Sequence, residues 1–479
     1  MNGPHRADAG SGGARLLRRE FLRAGAGLGA LALGDLLARD ARAARAAAEP
    51  PPWALPTVKA KRVIWLFMAG APSQFELFEP KETLQRLDGQ VLPPSLAAGK
   101  RFAFIDGTSA KLLGTRRKFA QHGACGAPVS ELLPHTARIV DKLTFLRGVR
   151  GKEINHGPAK TFINTGFGPG GRPAFGAWSL YGLGSDAQDL PGFVVLRSGN
   201  RGPRGGAQLW GNGFLPTQFA GTPLRPSGAP VLDLDTPPGV TEAGQRAFFD
   251  AVRDLDRLGG AEGDPELEAR IGAYELAHRM QSSAPDLVDL SSETAETRAL
   301  YGLADDAPSF GRNCLLARRL VERGVRFVQL YHTDWDHHGD PGNHLGEPLE
   351  KRCKEVDQAA AALVVDLERR GLLEDTLVIF AGEFGRTPLG EVRDFIGRDH
   401  HIEAFTLWLA GGGVKPGFSY GETDEIGFAP VAGAMDVHDL HATLLHLMGV
   451  DHERLTFRFQ GRDYRLTDVH GRVIRDFLA

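Results

Sequence analysis

The stretch R-V-I-W-L-F-M at 62–68, followed by A-G-A-P-S at 69–73, decides how the chain is read. Its apolar run has no alternating polar face, which is the pattern of a strand buried on both sides in a parallel sheet rather than one half exposed to water. Small and turn-forming residues follow at once, where a ligand-binding loop sits at the carboxyl end of such a strand. Working outward, K-L-T-F-L-R-G-V within 139–149, P-G-F-V-V-L at 191–196, V-R-F-V-Q-L at 325–330, T-L-V-I-F-A at 376–381 and F-T-L-W-L-A at 405–410 repeat the signature. Between and after them lie segments with helical character, at 266–282, 291–301, 312–323, 346–370 and 437–448, the last two stopping at Gly371 and Gly449. Helices alternating with short apolar strands describe an α/β fold, a mostly parallel sheet covered on both faces. Residues 199–240 are rich in Gly and Pro without helical period and read as an irregular insertion over one face.

The chain has 479 residues, 42% of them hydrophobic, and a formal net charge of -3 with no long basic run, which describes a globular protein and argues against an electrostatic nucleic-acid binder. Cys125, Cys314 and Cys353 lack C-x-x-C spacing and form neither a disulfide framework nor a zinc ribbon. The first 48 residues differ in kind. R-R-E-F-L-R at 18–23, an apolar stretch from Ala24 to Leu37, and small-residue tripeptides ending at Ala43 and Ala48 have the layout of a signal peptide of the twin-arginine type. The apolar run is short and broken by glycines and Asp35, so a transmembrane span is not expected. The expectation is a signal peptide over 1–48 and one mature domain over 49–479, periplasmic or secreted.

Three clusters of ligand-type residues adjoin three of the strands. T-D-W-D-H-H-G-D at 333–340 follows strand 325–330, G-E-F-G-R-T-P at 382–388 follows strand 376–381, and G-R-D-H-H at 397–401 precedes strand 405–410. Carboxyl ends of parallel strands share an edge, so the first two converge there, and the third can cross the same edge before its strand begins. Carboxylates mixed with imidazoles suit zinc, manganese or iron, and Arg386 offers a forked donor for a tetrahedral oxyanion. The plainer alternative for the first cluster is a solvated loop whose aspartates cap the next helix. Trp335 reads as packing. Two more segments are candidates: A-P-S-Q-F-E-L-F-E-P-K at 71–81, with Glu76 and Glu79, and N-H-G-P-A-K-T-F-I-N-T-G at 155–166, with His156, Lys160 and Thr161.

The order of these motifs, with A-G-G-G-V-K-P-G at 410–417 and the C-terminal D-L-H-A-T-L-L-H-L-M-G-V-D-H-E-R-L, resembles a large family of exported bacterial proteins classed as a domain of unknown function within the alkaline phosphatase and sulfatase superfamily. The resemblance implies a three-layer α/β/α sandwich, alkaline phosphatase-like, with two metals at the sheet's carboxyl edge, or one where the second site is altered, and a nucleophile at a helix N-terminus. Asp336 and His338 would hold one metal with His400 or His401 as a further ligand. Glu383 stands where that superfamily has an Asp-His-Gly, and Glu76 or Glu79 would replace an aspartate missing after the first strand. His156 occupies the nucleophile's place, with Lys160 at its partner arginine's, and is open to three readings: nucleophile, metal ligand or relic. Thr161 is a weaker substitute nucleophile. The function implied is an exported metal-dependent hydrolase of phosphate or sulfate esters, with Arg386 and Lys160 on the oxyanion. The alternative is a non-catalytic binding or cell-envelope protein that keeps the fold.

Overall fold

The computed structural model describes residues 50–479 apart from 95–101, 104, 107, 108, 199–201, 226–229, 232–238 and 259–264. The expected signal segment lies outside the described residues. Leu55–Ala479 forms one compact unit, and no helix among the described residues is long and apolar enough to cross a membrane.

Its centre is a sheet of nine strands among the described residues. The main ones, in chain order, are β1 (Arg62–Met68), β2 (Leu143–Arg150), β3 (Phe193–Ser198), β4 (Thr222–Pro223), β5 (Phe327–His332) and β6 (Thr376–Ala381). Two strands of a small separate sheet follow, β7 (Gly385–Gly390) and β8 (Arg398–His401), and then β9 (Phe405–Ala410) and β10 (Phe418–Tyr420). The spatial order is β10-β2-β9-β6-β1-β5-β3-β4, with the short strand Met435–Asp436 added parallel to β2. Every pairing is parallel except those of β9, which runs antiparallel to both β6 and β2.

The six strands expected from the apolar runs are all present, three with the expected bounds and three displaced by one or two residues. β1 shows why they read so clearly, since its residues 63–68 are all buried. Ile64, Leu66 and Met68 join the core cluster of α4 (Phe310–Glu322) and α5 (Glu347–Arg369) on one face. On the other face Trp65 meets Phe175, whose ring stacks on His441. Phe175 opens α3 (Phe175–Leu183), which follows α2 (His156–Thr165), and His441 lies in α6 (Val437–Leu447). A four-residue α1 (Gln74–Leu77) follows β1. Helices therefore cover both faces, as expected for a three-layer α/β/α arrangement. The described part of 199–240 consists of turns, two 3-10 segments and β4, and its Trp210 packs against Tyr331 of β5.

The topology gathers the loops. Met68 pairs with His332 and Phe67 with Ala381, so β6, β1 and β5 end side by side. Because β9 is reversed, with Ala410 opposite Val378 and Trp408 opposite Phe380, its first residues lie at that same edge, and the segment before it arrives there. Gly70, at φ +112, is required where the loops meet: a Cβ there would lie 2.7 Å from the Trp335 backbone nitrogen and 2.8 Å from that of Asp336.

Candidate metal centre

Four side chains converge at the shared edge. A ring nitrogen from each of His156, His338 and His400 and a carboxylate oxygen of Asp336 all lie within 4.8 Å of one another. Asp336 Oδ1 is 2.8 Å from His338 Nε2, 3.0 Å from His156 Nε2 and 3.5 Å from His400 Nε2. The four come from three places in the chain: His156 begins α2, Asp336 and His338 follow β5, and His400 lies in β8.

The outward nitrogens decide what the inward ones can do. His156 Nδ1 is 2.7 Å from Glu383 Oε1, His338 Nδ1 is hydrogen-bonded to Glu391, and His400 Nδ1 is 2.8 Å from the Ile154 carbonyl oxygen. A carbonyl only accepts, so His400 Nδ1 carries the proton. Glu383 and Glu391 are both held below the ordinary carboxylate range: burial pushes them up, but Lys160 and His156 outweigh it for Glu383, and His338 and Arg393 for Glu391. As ionised acceptors they take a proton from Nδ1 as well. In the neutral rings all three Nε2 lone pairs then point inward at one another and at a carboxylate, with His338 and His400 nitrogens 2.9 Å apart. A cation relieves that repulsion, and an outer acceptor behind each imidazole is the usual support of a metal-binding histidine. The three nitrogens and one carboxylate oxygen fit zinc, manganese or iron better than the all-oxygen shells of calcium or magnesium.

Asp336 itself is driven far below the normal carboxylate range: burial opposes ionisation, and the three imidazoles and Arg386 outweigh it. Among the histidines, His156 and His338 are raised despite burial, by Asp336 with Glu383 and by Asp336 with Glu391, whereas burial and the Arg386 charge lower His400. His337 is buried and pushed down to about 3 by burial and then by Arg386, so it is a neutral core residue.

Not every residue expected at a site joins the quartet. His401 alternates with His400 along β8 and faces away, 2.6 Å from the Phe428 carbonyl oxygen. Glu76 is buried in an ion pair with Arg398, at 2.8 Å, and is bonded to Ser73. Glu383 is wholly occupied in support, taking the Gly70 N-H at 3.0 Å as well as His156, with Lys160 Nζ at 3.7 Å. Thr161 donates to the Gly157 carbonyl and accepts from Gln208, so its hydroxyl is engaged within α2 and with the insertion. Arg386 is buried, with Nε on the Ala71 carbonyl, Nη1 on that of Arg398 and 3.3 Å from His338 Nε2, and Nη2 on the Gly70 carbonyl and, at 2.6 Å, on Asp336. It clamps the loop after β1 to Asp336 and has little left for a ligand. Asp334 and Asp340 are exposed, while Trp335 is packed inside and donates to His332 Nδ1 at 3.0 Å.

Glu391, which backs His338 in the candidate centre, is the residue the sequence reading missed. It lies just after β7, in the turn leading to β8, and is paired with Arg393 as well as His338. A cleft of about 170 Å³ opens above the quartet, lined by His156, Lys160, Asp334, Asp336 and Arg204 among others.

A family model described as "Protein of unknown function (DUF1501)" matches residues 60–478. The chain belongs to that family. No curated protein matches this DUF1501 member. Among solved structures, the PsFucS1 sulfatase from Pseudoalteromonas sp. is 13% identical, covering 82% of this chain and 69% of its own, with a TM-score of 0.35. A protein in the alkaline phosphatase superfamily from Vibrio parahaemolyticus is 10% identical, covering 84% and 70%, at 0.36. A TAB5 alkaline phosphatase mutant with magnesium bound is 10% identical, covering 82% and 99%, at 0.33.

Proposed function

We propose that this DUF1501 member is an exported, metal-dependent hydrolase of phosphate or sulfate esters, in which His156, Asp336, His338 and His400 hold one divalent cation. The observation that carries the reading is the convergence of three imidazoles on one carboxylate, each with its outer nitrogen on an acceptor and its inner one turned to Asp336. The resemblance of the motif order to a family classed within the alkaline phosphatase and sulfatase superfamily supports the reaction class.

A cation held there would supply Lewis acidity toward an ester oxygen. Glu383 and Glu391 keep the His156 and His338 rings aimed, and Arg386 fixes Asp336. Lys160 and Arg204 line the cleft and meet an anionic oxygen entering it. His156 fits a ligand rather than a covalent nucleophile, since its Nδ1 is on Glu383 and its Nε2 faces the quartet. The attacking group would then be water.

That engagement of His156 also favours the second reading, a non-catalytic binding or cell-envelope protein that retains the metal. Metal analysis comes first. The purified protein is expected to carry about one equivalent of transition metal, and His338→Ala and His400→Ala to lose most of it; less than about half an equivalent in the parent rejects the centre. With metal present, turnover of an aryl phosphate, phosphodiester or sulfate supports the hydrolase, and turnover of none supports the binding protein.

A further inference from the structure

The cleft at the quartet, at about 170 Å³, is smaller than the roughly 300–1,000 Å³ that encloses most small-molecule ligands. It accommodates a reacting group, and the remainder of a substrate must lie elsewhere. A second cleft, of about 440 Å³, opens beside it on the same sheet edge, reached by Ser198 and His332, the last residues of the adjacent strands β3 and β5. The partition between the two is one short segment. His332 lines the larger cleft, while Thr333 and Asp334 line the smaller. Arg352 Nη1, in the larger, is 3.8 Å from Asp334 Oδ2.

The larger cleft has a net positive wall. The first part of α5 contributes Lys351, Arg352 and Lys354, and among the described lining residues Glu355 is the one carboxylate. Glu355 is already engaged, 3.0 Å from Arg352 Nη1 and 3.1 Å from His332 Nε2. The His332 tautomer is fixed, because the Trp335 indole N-H can only donate and does so to Nδ1, leaving the proton on Nε2 for Glu355. Lys351 and Lys354 are exposed and, among the described residues, have no ion-pair partner.

We propose that this second cleft binds an anionic substituent on the non-reacting part of the substrate. The substrate class is then an ester of a carrier bearing at least one further sulfate, phosphate or carboxylate group. This rests on the hydrolase reading above.

The test pairs a disulfated disaccharide with its monosulfated counterpart on the parent and on a Lys351→Ala/Lys354→Ala variant. The variant should raise KM for the disulfated compound roughly tenfold, leaving kcat, metal content and the monosulfated KM unchanged. Equal effects on both compounds, or none, overturn the proposal. Calorimetric binding of the disulfated compound separates this from the hydrolase reading. Affinity that falls in the lysine variant but persists in His400→Ala upholds the cleft even if no turnover is found. Binding indifferent to the lysines, or no binding to the parent, overturns it.

Discussion

His400 and His401 are adjacent, both buried, and chemically identical, yet only one belongs to the quartet. The register of the small sheet separates them: Arg386 is opposite His400, so both project to the centre, while His401 is opposite Gly385 and turns to the Phe428 carbonyl. His401→Ala is therefore expected to cost about 2–4 kcal/mol in denaturant unfolding, through a cavity and an orphaned carbonyl, with metal content unchanged. His400→Ala should lose the metal, and equal metal loss in both variants would refute the assignment. At this scale Asp336 and His338 were legible, because their strand was unmistakable and the ligand types stood directly after it. The choice between His400 and His401 was not, because R-D-H-H has no apolar pattern and did not read as a strand whose alternation would have resolved it. Glu391 was hidden for a related reason: a carboxylate near a turn has no signature until the hairpin's register is known.

At the scale of elements, the placement of His156 depends on α2, and α2 is held at its far end by α6. His438 Nε2 donates to the Gly166 carbonyl at 2.9 Å and His441 Nε2 to that of Ile163 at 2.8 Å, satisfying acceptors left open where the helix stops. The C-terminal histidines thus serve the site through the helix rather than by touching it. Burial, and then His438, push His441 down to about 3 from an ordinary 6.5. Between those values the unfolded chain holds a proton that the folded chain refuses, so stability falls as pH drops, by up to about 1.4 kcal/mol per pH unit, and the loss levels off below about 3. His441→Phe should flatten this slope in unfolding free energies measured between about pH 4 and 6. An unchanged slope would show that His441 is not the group refusing the proton. The long strands and helices such as 312–323 and 346–370 were readable because each buries a continuous apolar face, whereas the helix Glu242–Leu258, with Phe248 and Leu255 exposed, was not read. The two- to four-residue strands were not, since their pairing is set by neighbours distant in sequence.

Across the whole molecule, one reversed strand among parallel ones completes the centre, because β9 brings β8 to the edge where β6, β1 and β5 end. A cation bound there would tie α2, the loop after β5 and β8 together, so chelation should lower the thermal midpoint. Free metal at about a hundredfold its Kd corresponds to about 2.7 kcal/mol of stabilisation. Calorimetry with and without chelator should show this shift in the parent and none in His400→Ala, whereas the same shift in both would place the stabilising ion elsewhere. The dispersal of the ligands along the chain has a further consequence. Before folding, no local segment holds the quartet, so affinity for the ion appears only with the finished tertiary structure. Such a chain can take up its ion only once it has folded. If the chain is exported by the twin-arginine route, which moves proteins already folded, the metal supply of the cytoplasm would be the first to offer it an ion.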